Sequence, residues 1–222
     1  MSENDREHDF EPVHGLPGDL PKGEYLLWQG SPEPWALARR VFHVPVVAIY
    51  FGVLMAIRIG EQIAAGATIV ETLTAAAQVL PIAALGLGLL AGLAWLNAKT
   101  SVYTITSKRV VMRFGVALTK AINIPFSVIE TAAVQTHKDG TGDLALVIRK
   151  PNKIAFLNLW PHARPTRLAN PEPTFRGIAN AAAVAPILAR AMTGDIDPSM
   201  AIEPVKAIVG KRSKNGEAAP ST

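Results

Sequence analysis

The sequence predicts an α+β membrane protein, in which a two-helix transmembrane hairpin precedes an antiparallel β barrel or sandwich that a C-terminal helix caps. Three observations predict this fold class. Residues 79–96 contain no charged side chain, and residues 44–57 form a second apolar run. After residue 100 the chain consists of short segments rich in β-branched and aromatic residues. This combination is typical of a small membrane portion joined to a water-exposed β module.

The amino-acid composition further restricts the class of protein. Hydrophobic residues make up 49% of the chain and charged residues 18%, values between those of soluble domains and polytopic membrane proteins. The chain has no cysteine, which excludes disulfides and cysteine-bound metal clusters. The net charge is +4 and the basic residues are spread along the chain, so the sequence predicts no nucleic-acid partner.

Residues 1–40 are predicted to form a flexible N-terminal arm and an interfacial segment. Residues 1–22 are polar and rich in charge, proline and glycine, with no basic start followed by an apolar stretch, so no cleavable signal peptide is expected. Residues 35–43 have helical spacing and include Arg39 and Arg40. Such a segment suits the boundary between water and lipid, where arginine reaches toward phosphate.

Residues 41–98 are predicted to form the transmembrane hairpin, with helices at about 41–59 and 75–96. At about 1.5 Å per residue, the run at 79–96 covers most of a hydrocarbon core roughly 30 Å thick. The first run is shorter and spans only if its flanking polar groups snorkel, so a re-entrant or interfacial helix is the alternative. Residues 62–77 either lie on the membrane surface or lengthen the second helix.

Charge sets the predicted topology. The segment between the two apolar runs carries Glu61 and Glu71 and no Lys or Arg after Arg58, whereas Arg39 and Arg40 precede the first run and Lys99, Lys108, Arg109 and Arg113 follow the second. Basic residues mark the cytoplasmic side, so both termini are predicted to be cytoplasmic.

Residues 99–194 are predicted to form the cytoplasmic β module, and residues 195–222 a mobile tail in which 200–209 could form a short helix. Residues 138–142 read as a tight turn, and residues 173–194 return to helical spacing as the capping helix. A third membrane segment at 175–193 is the alternative for that last stretch. The predicted strands are 101–106, 109–114, 117–124, 127–134, 143–150 and 152–159.

Two resemblances to known families add to this interpretation. The region from about 100 to 193 resembles the bacterial pleckstrin-homology-like domain, which implies a helical hairpin and a seven-stranded, partly open barrel closed by a C-terminal helix. The residues that carry this resemblance are Tyr103, Ile105, Thr106, Arg109, Gly115, Ile124, Pro125 and Ile129. Nearly the whole chain is also similar to assembly factors for the photosynthetic reaction centre of purple bacteria. That similarity lies in segments 20–24, 27–32, 42–43, 50–52 and 158–165. It implies a place in the inner (intracytoplasmic) membrane, with reaction-centre and core antenna polypeptides as partners.

Three sets of residues are candidates for contacts with lipid or protein. Ala84, Gly88 and Gly92 place small side chains on one helix face, which allows close helix packing or a homodimer. Trp28 and Trp160 lie beside turn prolines and could anchor a bound protein, with core burial as the alternative. The possible contacts with lipid headgroups are Arg39, Arg40, Lys108, Arg109 and Arg113.

The five histidines are scattered without ligand spacing, and no convergent acid–base pair is evident, so the sequence predicts no catalytic residue, no metal site and no cofactor. A membrane enzyme is therefore the least favoured class. The favoured hypothesis is an assembly factor without bond chemistry. The alternative is a lipid-sensing or scaffold module in which the basic hairpin reads anionic membrane lipid.

Overall fold

The structure, a computed structural model, describes residues 15–202 except residues 17, 19, 117, 153, 166, 198 and 200. Most of the predicted arm and tail, including the possible helix at 200–209, lies outside the described residues. The elements in chain order are β1 (Leu26–Gly30), α1 (Pro34–Arg40), α2 (Val44–Ala64), α3 (Ile69–Ala77), α4 (Leu80–Thr100), β2 (Val102–Thr106), β3 (Arg109–Phe114), β4 (Lys120–Pro125), a 3₁₀ turn (Phe126–Val128), β5 (Ile129–Thr136), β6 (Thr141–Ile148), α5 (Phe156–Leu159), β7 (Thr174–Ala179) and α6 (Ala181–Thr193).

The strands form two antiparallel sheets. One sheet has the order β1-β2-β3-β4 and the other β5-β6-β7. The predicted strands at 101–106 and 109–114 are confirmed almost residue for residue. The predicted turn at 138–142 is also confirmed, since the His137 N–H donates to the Thr141 carbonyl at 2.8 Å between β5 and β6.

One core fills the space between the sheets and α6. Its aromatic centre is a stack in which the Phe175 ring lies 4.5 Å from the Tyr103 ring and 5.9 Å from the Trp28 ring. Val184 and Leu188 on α6 are buried against this core, while the opposite side of α6 is exposed. The thirteen residues of α6 are too few to cross a bilayer, and the helix packs as a cap on the β domain.

The strand predicted at 152–159 is wrong, because the structure has an irregular segment there followed by the short α5. Alternating apolar residues suggested a strand, but β6 pairs with β5 on one side and β7 on the other. Prolines at 151 and 161 bracket the segment, and their missing N–H groups and fixed φ angles disfavour a strand that continues the sheet from β6.

The capping helix predicted over 173–194 is wrong in its first third, where Thr174–Ala179 is β7. Gly177, with φ +58°, lies where the register between β6 and β7 shifts, and Asn180, with φ +50°, is where the backbone turns from the strand into the helix that begins at Ala181. The alanine-rich run after residue 179 gave the whole segment a helical pattern and hid the strand.

The boundary drawn at residue 40 also differs from the structure. Leu26–Gly30 is not part of an arm but an edge strand that pairs with β2, with Gly30 opposite Tyr103. Helix α1 packs Leu37 against Ala94 and Ala98 of α4, so the segment predicted as interfacial belongs to the folded body.

Two long apolar helical stretches lie between β1 and β2. By length and composition, Val44–Ala64 and Ile69–Thr100 are the two in the described residues that could cross a membrane. The second stretch comprises α3 and α4. Helix α3 begins with a capping box, in which the Glu71 N–H donates to the Thr68 hydroxyl and the Thr68 N–H donates to the Glu71 carboxylate. Residues 69–77 therefore form a helix of their own ahead of α4.

Candidate functional site

The apolar helices expose their side chains to the outside of the protein. No residue of α2 is buried, and Val53 and Leu89, near the middles of α2 and α4, are 53% and 62% exposed. A continuous apolar surface of this kind is unfavourable in water and is typical of a region covered by lipid or by another protein.

The predicted small-residue face lies on the outside of the hairpin. A Cβ added to Gly88 or Gly92 would meet no atom within 4 Å, and Ala84 is exposed. Contact with α2 is made instead near Gly86, where an added Cβ would lie 3.6 Å from the Phe51 ring. The face formed by Ala84, Gly88 and Gly92 is therefore open to a neighbouring helix.

The predicted basic residues fall into two groups with different surroundings. Arg39 and Arg40 at the end of α1 both contact Asp139 in the β5–β6 turn, at 3.6 Å and 2.6 Å. Lys108 is exposed in the β2–β3 connection, while Arg109 and Arg113 are half-buried on β3.

Arg109 has a structural partner that the sequence did not suggest. Its Nε donates to the Glu24 carboxylate at 2.9 Å, and the Thr106 hydroxyl donates to the same oxygen at 2.7 Å. The Glu24 side chain is only 3% exposed, so the guanidinium compensates a buried negative charge.

We expect Arg109→Ala to lower the free energy of unfolding by about 3 kcal/mol, because the buried Glu24 carboxylate loses its counter-charge. Lys108→Ala, a change at the exposed neighbouring position, should alter it by less than about 0.5 kcal/mol. Urea unfolding of the detergent-solubilised protein, followed by near-UV circular dichroism, measures both. Equal effects of the two changes would contradict the structural role of Arg109.

The two tryptophans predicted to anchor a bound protein, Trp28 and Trp160, differ in their exposure. Trp28 packs against the core on Phe175, which leaves it little free surface for a partner. Trp160 is 53% exposed and meets Phe42 edge-on at 6.2 Å. Only Trp160 of this pair presents a large aromatic surface outward, beside the junction of α1 and α2.

A buried polar network joins the end of α4 to the β domain, and the sequence analysis missed it. His162 is fully buried, with Nδ1 2.6 Å from the Tyr103 hydroxyl and Nε2 3.1 Å from the Ser101 hydroxyl. The Tyr103 oxygen also accepts the Arg176 backbone N–H at 3.2 Å. Burial lowers the pKa of His162 to about 3 and raises the pKa of Tyr103. The neutral His162 imidazole therefore has a structural role, because its hydrogen bonds hold Ser101 and Tyr103 in place. No local sequence pattern indicates that these three residues meet.

Within the described residues, no strand pairs with the outer edge of β5. Residues Ile129–Thr136 form the edge of the second sheet, and all but Ile129 are exposed. Edge strands are commonly guarded by charge or proline. At the β4 edge Lys120 and Pro125 stand at the two ends, whereas β5 carries Glu130 as its one charged residue.

An apolar groove of about 460 Å³ runs between β5 and α6. Val134 and Leu144 from the sheet and Pro186 and Met192 from the helix line it. His137 and Thr141 form a hydrogen-bonded pair, in which the His137 N–H points toward β6. In an antiparallel strand the N–H direction alternates from one residue to the next, so the N–H of Val134, three residues earlier, points away from β6 and toward the unpaired edge. An added strand could bond to β5 and place an apolar side chain in this groove.

Comparison with known proteins agrees with the fold. The Bacterial PH domain family matches residues 41–192, which include both apolar stretches and all strands but β1. A protein of Rhodobacter capsulatus, described as an uncharacterized 23.7 kDa protein in the puhA 5′ region, is 37% identical over 205 residues. These residues cover 92% of this chain and 96% of that protein. No solved structure matches the chain. Because the family match extends over more than half of the sequence, the chain belongs to the bacterial PH domain family.

Proposed function

We propose that the protein is a PuhB-like assembly factor of the inner (intracytoplasmic) membrane, which binds reaction-centre and core antenna polypeptides while the photosynthetic complex is built. The observation that carries the proposal is the exposed apolar hairpin joined to a β domain with an open strand edge. Both surfaces are available to a bound polypeptide, and neither requires bond chemistry. The relative in the puhA 5′ region, a photosynthesis gene region, supports the identity of the bound protein.

The pairing of β1 with β2 constrains how the chain crosses the bilayer. These strands flank the two apolar stretches, and hydrogen-bonded strands must lie on the same side of a membrane. The number of crossings between residues 30 and 102 is therefore even. Two crossings, with the β domain at the cytoplasmic face, fit the basic residues outside the hairpin.

The two surfaces would bind different parts of a client polypeptide. The outward face of Ala84, Gly88 and Gly92 allows close approach of a client membrane helix or a second copy of the chain. The β5 edge would hold an extended client segment outside the membrane by strand addition.

Deletion of the gene tests the function itself. We expect reaction-centre content, measured from the absorbance of isolated membranes, to fall while the cells still synthesise pigment. A deletion strain with unchanged reaction-centre content would rule the assembly function out.

A second test addresses the β5 edge. We expect Val134→Pro to weaken co-purification of reaction-centre polypeptides about ten-fold, because the added ring removes an outward N–H that a client strand would use. Val134→Thr keeps that N–H and is the matched control. If affinity capture from mildly solubilised membranes recovers the same client amount with both variants, the β5 edge does not bind the client.

A second candidate function is a lipid-sensing or scaffold module without a photosynthetic client. An arginine-lined cavity near the start of α2 favours a lipid contact and is described below. The gene deletion separates the two candidates, since a lipid module of this kind predicts unchanged reaction-centre content.

A further inference from the structure

A cavity of about 350 Å³ lies on the outer face of the second sheet, where α1 and the loop around residue 164 approach it. Ala133 and Gln135 of β5 and Ala145 of β6 line its sheet side. Their neighbours Leu144 and Leu146 are buried in the core, so strand alternation turns these three residues outward. The cavity and the groove between β5 and α6 therefore lie on opposite faces of the sheet, although Val134 lines both.

Three arginines from separate elements line this cavity. Arg40 comes from α1, Arg164 from the loop before β7, and Arg176 from β7 itself. Asp143 is the single carboxylate among the lining residues. Asp139 and Glu172 pair with Arg40 and Arg164, but each of these carboxylates also contacts a second arginine, Arg39 or Arg167, at 3.6 Å. The five arginines and three carboxylates of this region therefore leave a formal charge of +2. A positive cavity in a half-enclosed site favours an anion.

Two further carboxylates hold these arginines without lining the cavity. The Arg40 Nη2 donates to Asp139 at 2.6 Å, and the Arg164 Nη1 donates to Glu172 at 2.9 Å. Hydrogen bonds from Thr141, and the Arg40 guanidinium, lower the pKa of Asp139 to about 2, which keeps that carboxylate charged. The arginines are therefore oriented before any ligand arrives, while each keeps further N–H groups.

Two buried nitrogen atoms at the cavity have no hydrogen-bond partner within the described residues. They are the Arg176 Nε and the His137 Nε2, and the Arg176 side chain is only 7% exposed. The Asp143 Oδ2 lies 3.6 Å from the Arg176 Nη1 and 3.8 Å from the His137 Nε2, and neither of the two unpaired nitrogen atoms forms a hydrogen bond with it. The Asp143 Oδ1 accepts the Gly177 N–H at 2.7 Å. The Arg176 Nε–H is a buried donor without an acceptor, which is unfavourable, and the His137 Nε2 is a second such donor in the tautomer that carries the proton there. An oxyanion supplies an acceptor for both nitrogen atoms.

We propose that this cavity binds a phosphate group, carried by an anionic phospholipid headgroup or free in solution. Guanidinium groups match the oxygens of phosphate in a bidentate fork, and three arginines from separate elements line this cavity. The lipid source is within reach, because Arg40 precedes the start of α2 at Val44 by only four positions. The proposal does not depend on a protein client.

Calorimetric titration of the full-length protein in a neutral detergent tests this site. The probes are dihexanoyl phosphatidylglycerol, dihexanoyl phosphatidylcholine and inorganic phosphate. We expect saturable binding of the anionic probes, at least ten-fold weaker binding for Arg164→Gln, and no change for Lys108→Gln, a basic residue outside the cavity. Binding of phosphatidylglycerol alone identifies a headgroup site, and binding of inorganic phosphate as well identifies a general phosphate site.

A second variant keeps the charged side chains of the cavity and fills its volume. Ala133→Phe fills the cavity from an exposed strand position and should abolish binding, while Ala133→Ser should not. Near-UV circular dichroism checks that each variant is folded. The proposal is overturned if the wild-type protein binds neither anionic probe, or if Ala133→Phe binds as the wild type does.

Discussion

The double substitution Val53→Arg and Leu89→Arg is expected to remove the protein from the membrane fraction. Both positions lie near the middle of an exposed apolar helix, and an arginine at the bilayer centre costs about 2.5–3.5 kcal/mol. Two such charges, one in each helix, together oppose insertion by roughly 5–7 kcal/mol. Sedimentation of carbonate-washed membranes followed by immunoblotting measures the loss.

The matched control places two arginines in the β domain. Leu118 and Leu168 are as exposed as the helix positions but lie outside the apolar helices, so Leu118→Arg with Leu168→Arg should leave the protein in the pellet. If the helix variant also stayed in the washed pellet, the helices would not be inserted in lipid.

Acid is expected to destabilise the protein through His162. The folded protein holds the His162 pKa at about 3, whereas the unfolded chain binds a proton near pH 6.5. Between these values the unfolded state binds more protons, so the stability supplied by this site falls as the pH falls. From pH 7 to pH 5 we expect a loss of about 2 kcal/mol, because each pH unit below 6.5 contributes about 1.4 kcal/mol.

His162→Gln isolates this effect, because glutamine does not titrate and the other histidines remain. The variant should be less stable at pH 7, where it loses the Tyr103 and Ser101 contacts, but should lose about 2 kcal/mol less than the wild type between pH 7 and pH 5. Urea unfolding at both pH values gives the comparison. Parallel slopes for the two proteins would show that His162 does not titrate on unfolding.

Sequence patterns predicted the parts of the fold that local rules determine. The strands β2 and β3 follow directly from β-branched and aromatic residues around a two-residue connection, and the glycines near residue 140 gave the next turn. The apolar runs predicted the long helices, although α2 and α4 extend about four or five residues beyond the predicted C-terminal ends.

Contacts between distant parts of the chain could not be predicted in this way. No local sequence pattern identifies β1 as the partner of β2. Arg109 and Glu24, which form an ion pair, are 85 positions apart in the sequence. The candidate cavity could not be predicted from the sequence either, because Arg40 and Arg176 are far apart in the chain and only the folded structure brings them to one cavity. The basic residues predicted from sequence were chosen for their charge, and only their burial and partners separate a structural arginine from one that lines a cavity.

The pairing of β1 with β2 has a consequence for biosynthesis. About 70 residues separate these strands, and at about 5–20 residues per second the ribosome needs several seconds to make them. During that interval β1 has been synthesised but its neighbour in the sheet has not. The sheet can therefore close only after translation has passed both long apolar stretches, so that completion of the β domain follows synthesis of these helices.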